Sequence, residues 1–147
     1  MKNLVIDSSV LVKIIIFKNK EILKKLEGYN VFIPANVIEE TNFKIIIAVL
    51  ASLKDYKFYE IKRKWEKREK IEVIKKRINL LKKLMNYFHV LPITKEIIEL
   101  SFEIQLKYGL LPNDALIAAT CKFYNINKIA TFDEDFKKVD FLEIVEI

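Results

Sequence analysis

Carboxylates are the chemically versatile groups that this chain sets at marked positions. Asp7 lies between two apolar runs in NLVIDSSVLVKIIIF, with Ser8 and Ser9 directly behind it. Glu39 and Glu40 follow the apolar start of IPANVIEET. Asn113 and Asp114 precede LIAAT, and Asp133 and Asp135 punctuate TFDEDF. Little else is available for catalysis. The single Cys121 makes no intrachain disulfide, and with the single His89 it cannot furnish a Cys/His zinc site. A Ser-His-Asp triad would have to recruit His89 from the apolar run FHVLPI. Gly28 and Gly109 stand alone, so there is neither a GxGxxG fingerprint nor a Walker loop.

Taken singly, each acid has an ordinary explanation, because Asp, Asn and Ser cap helices and first-turn acids complement the helix dipole. Taken together they need another. Two like charges about 4 Å apart repel by about 4 kcal/mol at an effective dielectric near 20. Several carboxylates in one place must therefore take up protons or share a counter-ion. Without a Cys/His cluster, the fitting ion is a hard divalent cation bound through oxygen, Mg²⁺ or Mn²⁺. Such a site serves phosphate chemistry, in which the ion activates water and offsets charge building on the phosphate.

The elements that must position these acids follow from hydrophobic periodicity. Strands are expected near Leu4–Asp7, Val31–Ile33, His89–Pro92, Lys128–Thr131 and Leu142–Val145. Helices are expected near Ser9–Phe17, Lys20–Leu26, Asn36–Leu53, Glu60–Tyr87, Lys95–Lys107 and Asn113–Tyr124, with a short one after Asp133. Strands separated by helices predict an α/β fold, a three-layer α/β/α sandwich around a parallel sheet of about five strands. The 147 residues fit a single domain, residues 1–147. Functional groups in such sheets gather beyond the carboxyl ends of the strands, which sends all the acids to one rim. The longest apolar stretch, Ile45 to Leu53, includes Ser52 and is far short of the roughly 20 residues of a membrane span. Asp7 also interrupts any leader-like apolar region, so a soluble cytoplasmic protein is expected.

The runs LVIDSSVLV, IPANVIEET, LPNDALIAAT and IATFDEDF resemble, in order, the four acidic motifs of PIN-domain nucleases. The likeness spans Asn3 to about Val139 and is strongest to VapC-type toxins, Mg²⁺-dependent endoribonucleases paired with an antitoxin. It implies that Asp7, Glu40, Asp114 and Asp133 form the metal-binding quartet. It implies that Ser9 orients the first acid or a bound water, and that Asn113 is a polar companion of the third. Asp135 matches a peripheral acid. Glu39 adjoins Glu40 as a second candidate ligand, and periodicity does not separate them, since apolar positions surround most of that helix. A homodimer and a small antitoxin masking the acidic cleft are implied as well.

The central region, about 54–87, lies outside those motifs. Between Ile61 and Lys83 it carries 11 Lys/Arg and 3 Glu, a net +8, whereas the whole chain is +6. Ile71, Ile74, Ile78, Leu81 and Met85 give it one apolar face. Pairs such as Glu66–Lys70 and Glu72–Lys76 suit a solvated helix, but three acids cannot neutralise 11 cations. Lys62, Arg63, Lys67 and Arg68 are therefore expected to contact RNA, with binding that weakens as salt rises. Trp65, Tyr56, Phe58 and Tyr59 offer rings for base stacking, or for packing on the core or a partner.

The expected activity is RNA phosphodiester hydrolysis by metal-activated water. Two other readings share the fold: a PIN nuclease of RNA processing or DNA flap cleavage without an antitoxin, and a non-catalytic PIN module scaffolding an RNA or protein complex. The intact acids argue against a scaffold, which has no reason to hold repelling charges together. An aspartyl-phosphate phosphatase would need a second Asp where Ser9 stands.

Overall fold

The computed structural model describes residues 1–147. Five strands form one parallel sheet in the order β3-β2-β1-β4-β5: β1 (Lys2–Ile6), β2 (Tyr29–Pro34), β3 (His89–Leu91), β4 (Lys128–Ala130) and β5 (Glu143–Val145). Leu4, Val5 and Ile6 are all fully buried, so the central strand is covered on both faces and carries no polar alternation. Val5 sits opposite Phe32 on one side and Ile129 on the other. The short edge strand β3 begins with His89, which is exposed and lies against the Phe32 ring, two strands across from β1 and its Asp7.

The helices are α1 (Ser8–Ile15), α2 (Glu21–Leu26), α3 (Ala35–Leu50), α4 (Phe58–Glu66), α5 (Ile71–Tyr87), α6 (Lys95–Tyr108) and α7 (Pro112–Phe123), with a 3-10 helix at Glu134–Lys138. The chain moves one way across the sheet from β1 to β3, then returns past β1 to β4. With right-handed crossovers, that reversal sends α1–α5 to one face and α6–α7 to the other. The apolar clusters follow this division. The larger joins β1, β2 and β4 to α1, α3 and α5 and takes in Ile117 and Cys121 from the sheet-facing side of α7, whereas Ile97, Ile104, Ala115, Ala118 and Ala119 pack α6 on α7. The small alanines let the two helices approach closely. Gly109 ends α6 at a φ of 70°, a conformation that suits glycine. No helix is long and apolar enough to cross a membrane.

One expected helix is two. The stretch Glu60–Tyr87 breaks at 67–70, where Arg68 and Lys70 adopt left-handed φ values of 58° and 51°. Packing explains the break. At about 100° per residue, Trp65 and Ile74 would project from opposite sides of a continuous helix. Ile61 and Ile74 are nevertheless both buried in the same core. The break lets α4 and α5 each lay an apolar face on α3.

Candidate metal centre

The strand order places a topological switch point between β1 and β4, and the acids converge beyond the carboxyl ends of these strands. Asp7 leaves β1 as the N-cap of α1 and is 4% exposed. Its Oδ1 accepts the backbone N–H of Ser9 at 3.1 Å, the Ser9 hydroxyl at 2.5 Å and the Val10 N–H at 3.4 Å. Its Oδ2 accepts the Thr131 hydroxyl at 2.5 Å. Thr131 Oγ1 in turn accepts the Asp133 N–H at 2.9 Å, and Ser9 Oγ accepts the Phe132 N–H at 3.0 Å. Two hydroxyls thus bind the loop after β1 to the loop after β4. Burial still pushes the Asp7 carboxyl upward, against the lowering effect of Ser9, Thr131 and Val10.

Asp133 caps the 3-10 helix by accepting the Asp135 N–H at 2.9 Å. Asp114 stands in the first turn of α7, behind Pro112. Carboxylate oxygens of Asp114, Asp133 and Asp135 lie within 4.8 Å of one another. Asp135, which the resemblance makes peripheral, is one of this trio. The Asp114 carboxyl is pushed up to about 7, first by burial and then by the charges of Asp133, Glu40, Asp7 and Asp135. All the acids implied by the resemblance therefore act on one half-buried group.

Glu40 arrives from α3 on a face built at helical spacing. Asn36, Glu40 and Lys44 project one turn apart. Asn36 Nδ2 donates to Asn113 Oδ1 at 2.8 Å, and Asn113 Nδ2 donates to Glu40 Oε2 at 2.6 Å. Lys44 Nζ lies 3.1 Å from Glu40 Oε1 and donates to Ser8 Oγ at 2.9 Å. Glu39 is exposed and enters none of these bonds, so adjacent glutamates have different fates. Among the five acids, Glu40 is paired to Lys44, and Asp135 approaches Lys138 at 3.8 Å on the exposed rim. Asp7, Asp114 and Asp133 have no lysine or arginine partner. Their repulsion is not offset from within the protein. An all-oxygen donor set carrying excess negative charge fits a hard divalent cation.

Thr131, Asn36 and Lys44 were not singled out by sequence reasoning. For Asn36 and Lys44 a signal existed, because both lie four residues from Glu40 on one helix. Thr131 offered none beyond its place at the end of a strand.

The basic residues lie elsewhere. Phe43 of α3 meets Tyr56 and Phe58 at ring distances of 6.5 and 6.1 Å, while Lys64 Nζ donates to Leu50 O at 3.0 Å. These contacts lay α4 along α3, with its last turn at the end of α3 remote from Glu40. Lys62, Arg63, Lys67 and Arg68 are exposed there. Lys62 approaches Glu66 at 3.9 Å, and Arg68 donates to the Glu66 carbonyl at 2.9 Å. Glu40 and Leu50 are ten helical residues apart, about 15 Å, so this basic turn reaches RNA only if the strand runs along α3 and α4. Cys121 is buried, and burial pushes its thiol up to about 12.

A PIN domain family model matches residues 4–142. Ribonuclease VapC6 of Methanocaldococcus jannaschii is 40% identical over 149 residues, covering 98% of this chain and 97% of that protein. Ribonuclease VapC2 of the same organism is 42% identical over 130 residues, with 87% of this chain and 81% of that protein covered. A chain in the crystal structure of DNA-bound VapBC from Salmonella typhimurium superposes with a TM-score of 0.72 at 11% identity, covering 99% of this chain and 98% of that one.

Proposed function

The chain belongs to the PIN-domain family, and on that basis we propose that it is a divalent-metal-dependent endoribonuclease, the toxin of a VapBC-type toxin–antitoxin pair. The observation that carries the reading is Asp114, half-buried among four other carboxylates with no cation of the protein beside it. Relatives named as ribonucleases at 40% and 42% identity support the substrate class. Asp7, Glu40, Asp114 and Asp133 would hold Mg²⁺ or Mn²⁺, with Asp135 beside them. A bound divalent ion supplies water activation at neutral pH and charge neutralisation on the phosphate.

The chain's own groups prepare that centre. Ser9 and Thr131 hold Asp7 in one rotamer; Oδ1 already accepts three donors, whereas Oδ2 accepts only the Thr131 hydroxyl and keeps a lone pair for a ligand. Asn113 aims one oxygen of Glu40, and Lys44 steadies the other. Asp114, its carboxyl pushed up to about 7 by burial and by neighbouring charges, would give up its proton on binding a cation. The protein further forms a homodimer and is masked at the acidic cleft by a small antitoxin. The likeness to a VapBC structure supports the antitoxin, and the exposed apolar residues Ile98, Phe102 and Leu106 on one stripe of α6 support self-association.

The test is cleavage of mixed RNAs and DNAs with Mg²⁺, Mn²⁺ or chelator. The wild type should cut RNA only with a divalent ion. Asp7→Asn should keep its circular dichroism spectrum and lose activity roughly 100-fold or more, the scale of losing several kcal/mol of charge stabilisation. Undiminished cleavage by the variant would remove Asp7 from the site.

A further inference from the structure

Beside the acids a cleft of about 340 Å³ opens between α1, the middle of α3 and the loop before α4. Its floor holds Val12 and Ile47, both buried, and its edges are the rings of Phe17 and Tyr56, 65% and 41% exposed. Ser9, Lys13 and Lys44 line the rest. Two of these also belong to the metal centre: Ser9 donates to Asp7, and Lys44 pairs with Glu40. The cleft and the acids therefore share walls. Lys13 Nζ stands 3.8 Å over the ring of Phe132, the residue before Asp133, and takes part in no ion pair.

We propose that this cleft receives one unpaired base of the RNA, on the nucleotide next to the scissile phosphate, and that Lys13 binds the phosphate flanking it. The inference rests on the ribonuclease reading and adds to it a substrate conformation and residues that select it. Exposed rings over an apolar floor provide the stacking surface that a base uses on leaving its helix. Lys13, stacked on Phe132 but without a carboxylate partner, supplies at the mouth the positive charge that the acids lack, since they alone repel an approaching phosphodiester. Ligand pockets run roughly 300–1,000 Å³, so this one suits a nucleotide-sized occupant. A partner helix in a groove would instead need a row of anchor sites along its length. A base inside a duplex is stacked and cannot enter, which makes single-stranded RNA or an open loop the substrate.

The experiment is photo-crosslinking in chelator, so that it does not depend on turnover. Short single-stranded RNAs carry 4-thiouridine at successive positions, and peptide mass spectrometry locates the crosslinks. The expected result is a crosslink at Phe17 or Tyr56. It should be lost in a Phe17→Ala, Tyr56→Ala variant that keeps its fold and binds RNA roughly tenfold more weakly, the scale of one lost stacking contact. Lys13→Gln should lower the salt dependence of binding by about one phosphate contact. Crosslinks confined to α4 and α5, in a wild-type protein that does cleave RNA, would overturn the subsite and leave the ribonuclease reading standing. The same pattern, with the double variant failing instead to retain a co-expressed protein partner, would make the cleft a protein dock and equally overturn it. Crosslinks in the cleft of a protein that cleaves no RNA would support the subsite and remove the ribonuclease reading.

Discussion

Asp114 shows most directly what burial among like charges does to a single side chain. Its carboxyl is raised from 3.8 to about 7, so between these values the folded protein binds more protons than the unfolded chain. A raised folded-state pKa in an acid means that stability falls as pH climbs through that window. Chelator-stripped protein should therefore melt lower at about pH 8 than at about pH 5, and Asp114→Asn should abolish much of that difference, melting a few degrees above wild type at the higher pH. Thermal melts in chelator at both pH values decide it; identical pH profiles for the two proteins would show that Asp114 is not under strain. The positions of Asp7, Asp114 and Asp133 were legible in the sequence because each follows a strand or opens a helix, where a polar residue interrupts apolar ones, whereas Glu40 lies within α3 and periodicity did not separate it from Glu39. The hydroxyls that clamp Asp7 were half legible. Ser9 follows the acid by two residues, whereas Thr131 is 124 residues away and meets Asp7 only because β4 pairs with β1.

At the scale of elements, the informative departure is the turn between α4 and α5. Residues 67–70 include neither glycine nor proline, and every one of them is compatible with a helix. The signal lay in phase, because the apolar positions before and after the turn fall on opposite sides of a continuous helix. Left-handed backbone at Arg68 and Lys70 is the local cost, and two apolar faces buried against α3 offset it. The turn also gathers Lys67 and Arg68 beside Lys62 and Arg63 at the far end of α3. Replacing these four by glutamine should flatten the salt dependence of RNA binding, with a log–log slope smaller by up to about three to four. Activity on saturating RNA should hold, since none of the four adjoins the acids. A slope equal to wild type would place the RNA path away from this turn.

For the whole molecule, one reversal of strand order accounts for the layers and for the site. The chain's return from β3 past β1 to β4 creates the crevice where the acids meet, and it moves α6 and α7 to the opposite face. The α/β/α arrangement was readable from alternating strand and helix patterns. The strand order was not, because periodicity says which segments are strands but not which are neighbours. The outer face of α6 leaves Ile98, Phe102 and Leu106 41%, 58% and 85% exposed, one turn apart on a single stripe. If that stripe is the dimer contact, Phe102→Glu with Leu106→Glu should turn a dimer into a folded monomer in sedimentation equilibrium. A dimer that survives both charges would move the contact elsewhere.

Calorimetric titration of Mn²⁺ into chelator-stripped protein asks whether residues brought together from α1, α3, α7 and the loop after β4 behave as a single oxygen-ligand centre. Saturable binding is expected, tighter at about pH 8 than at about pH 5 and accompanied by proton release, with Asp114→Asn and Asp7→Asn each weakening it at least about tenfold. Heat indistinguishable from dilution in wild type, or equal affinity in wild type and both variants, would contradict it.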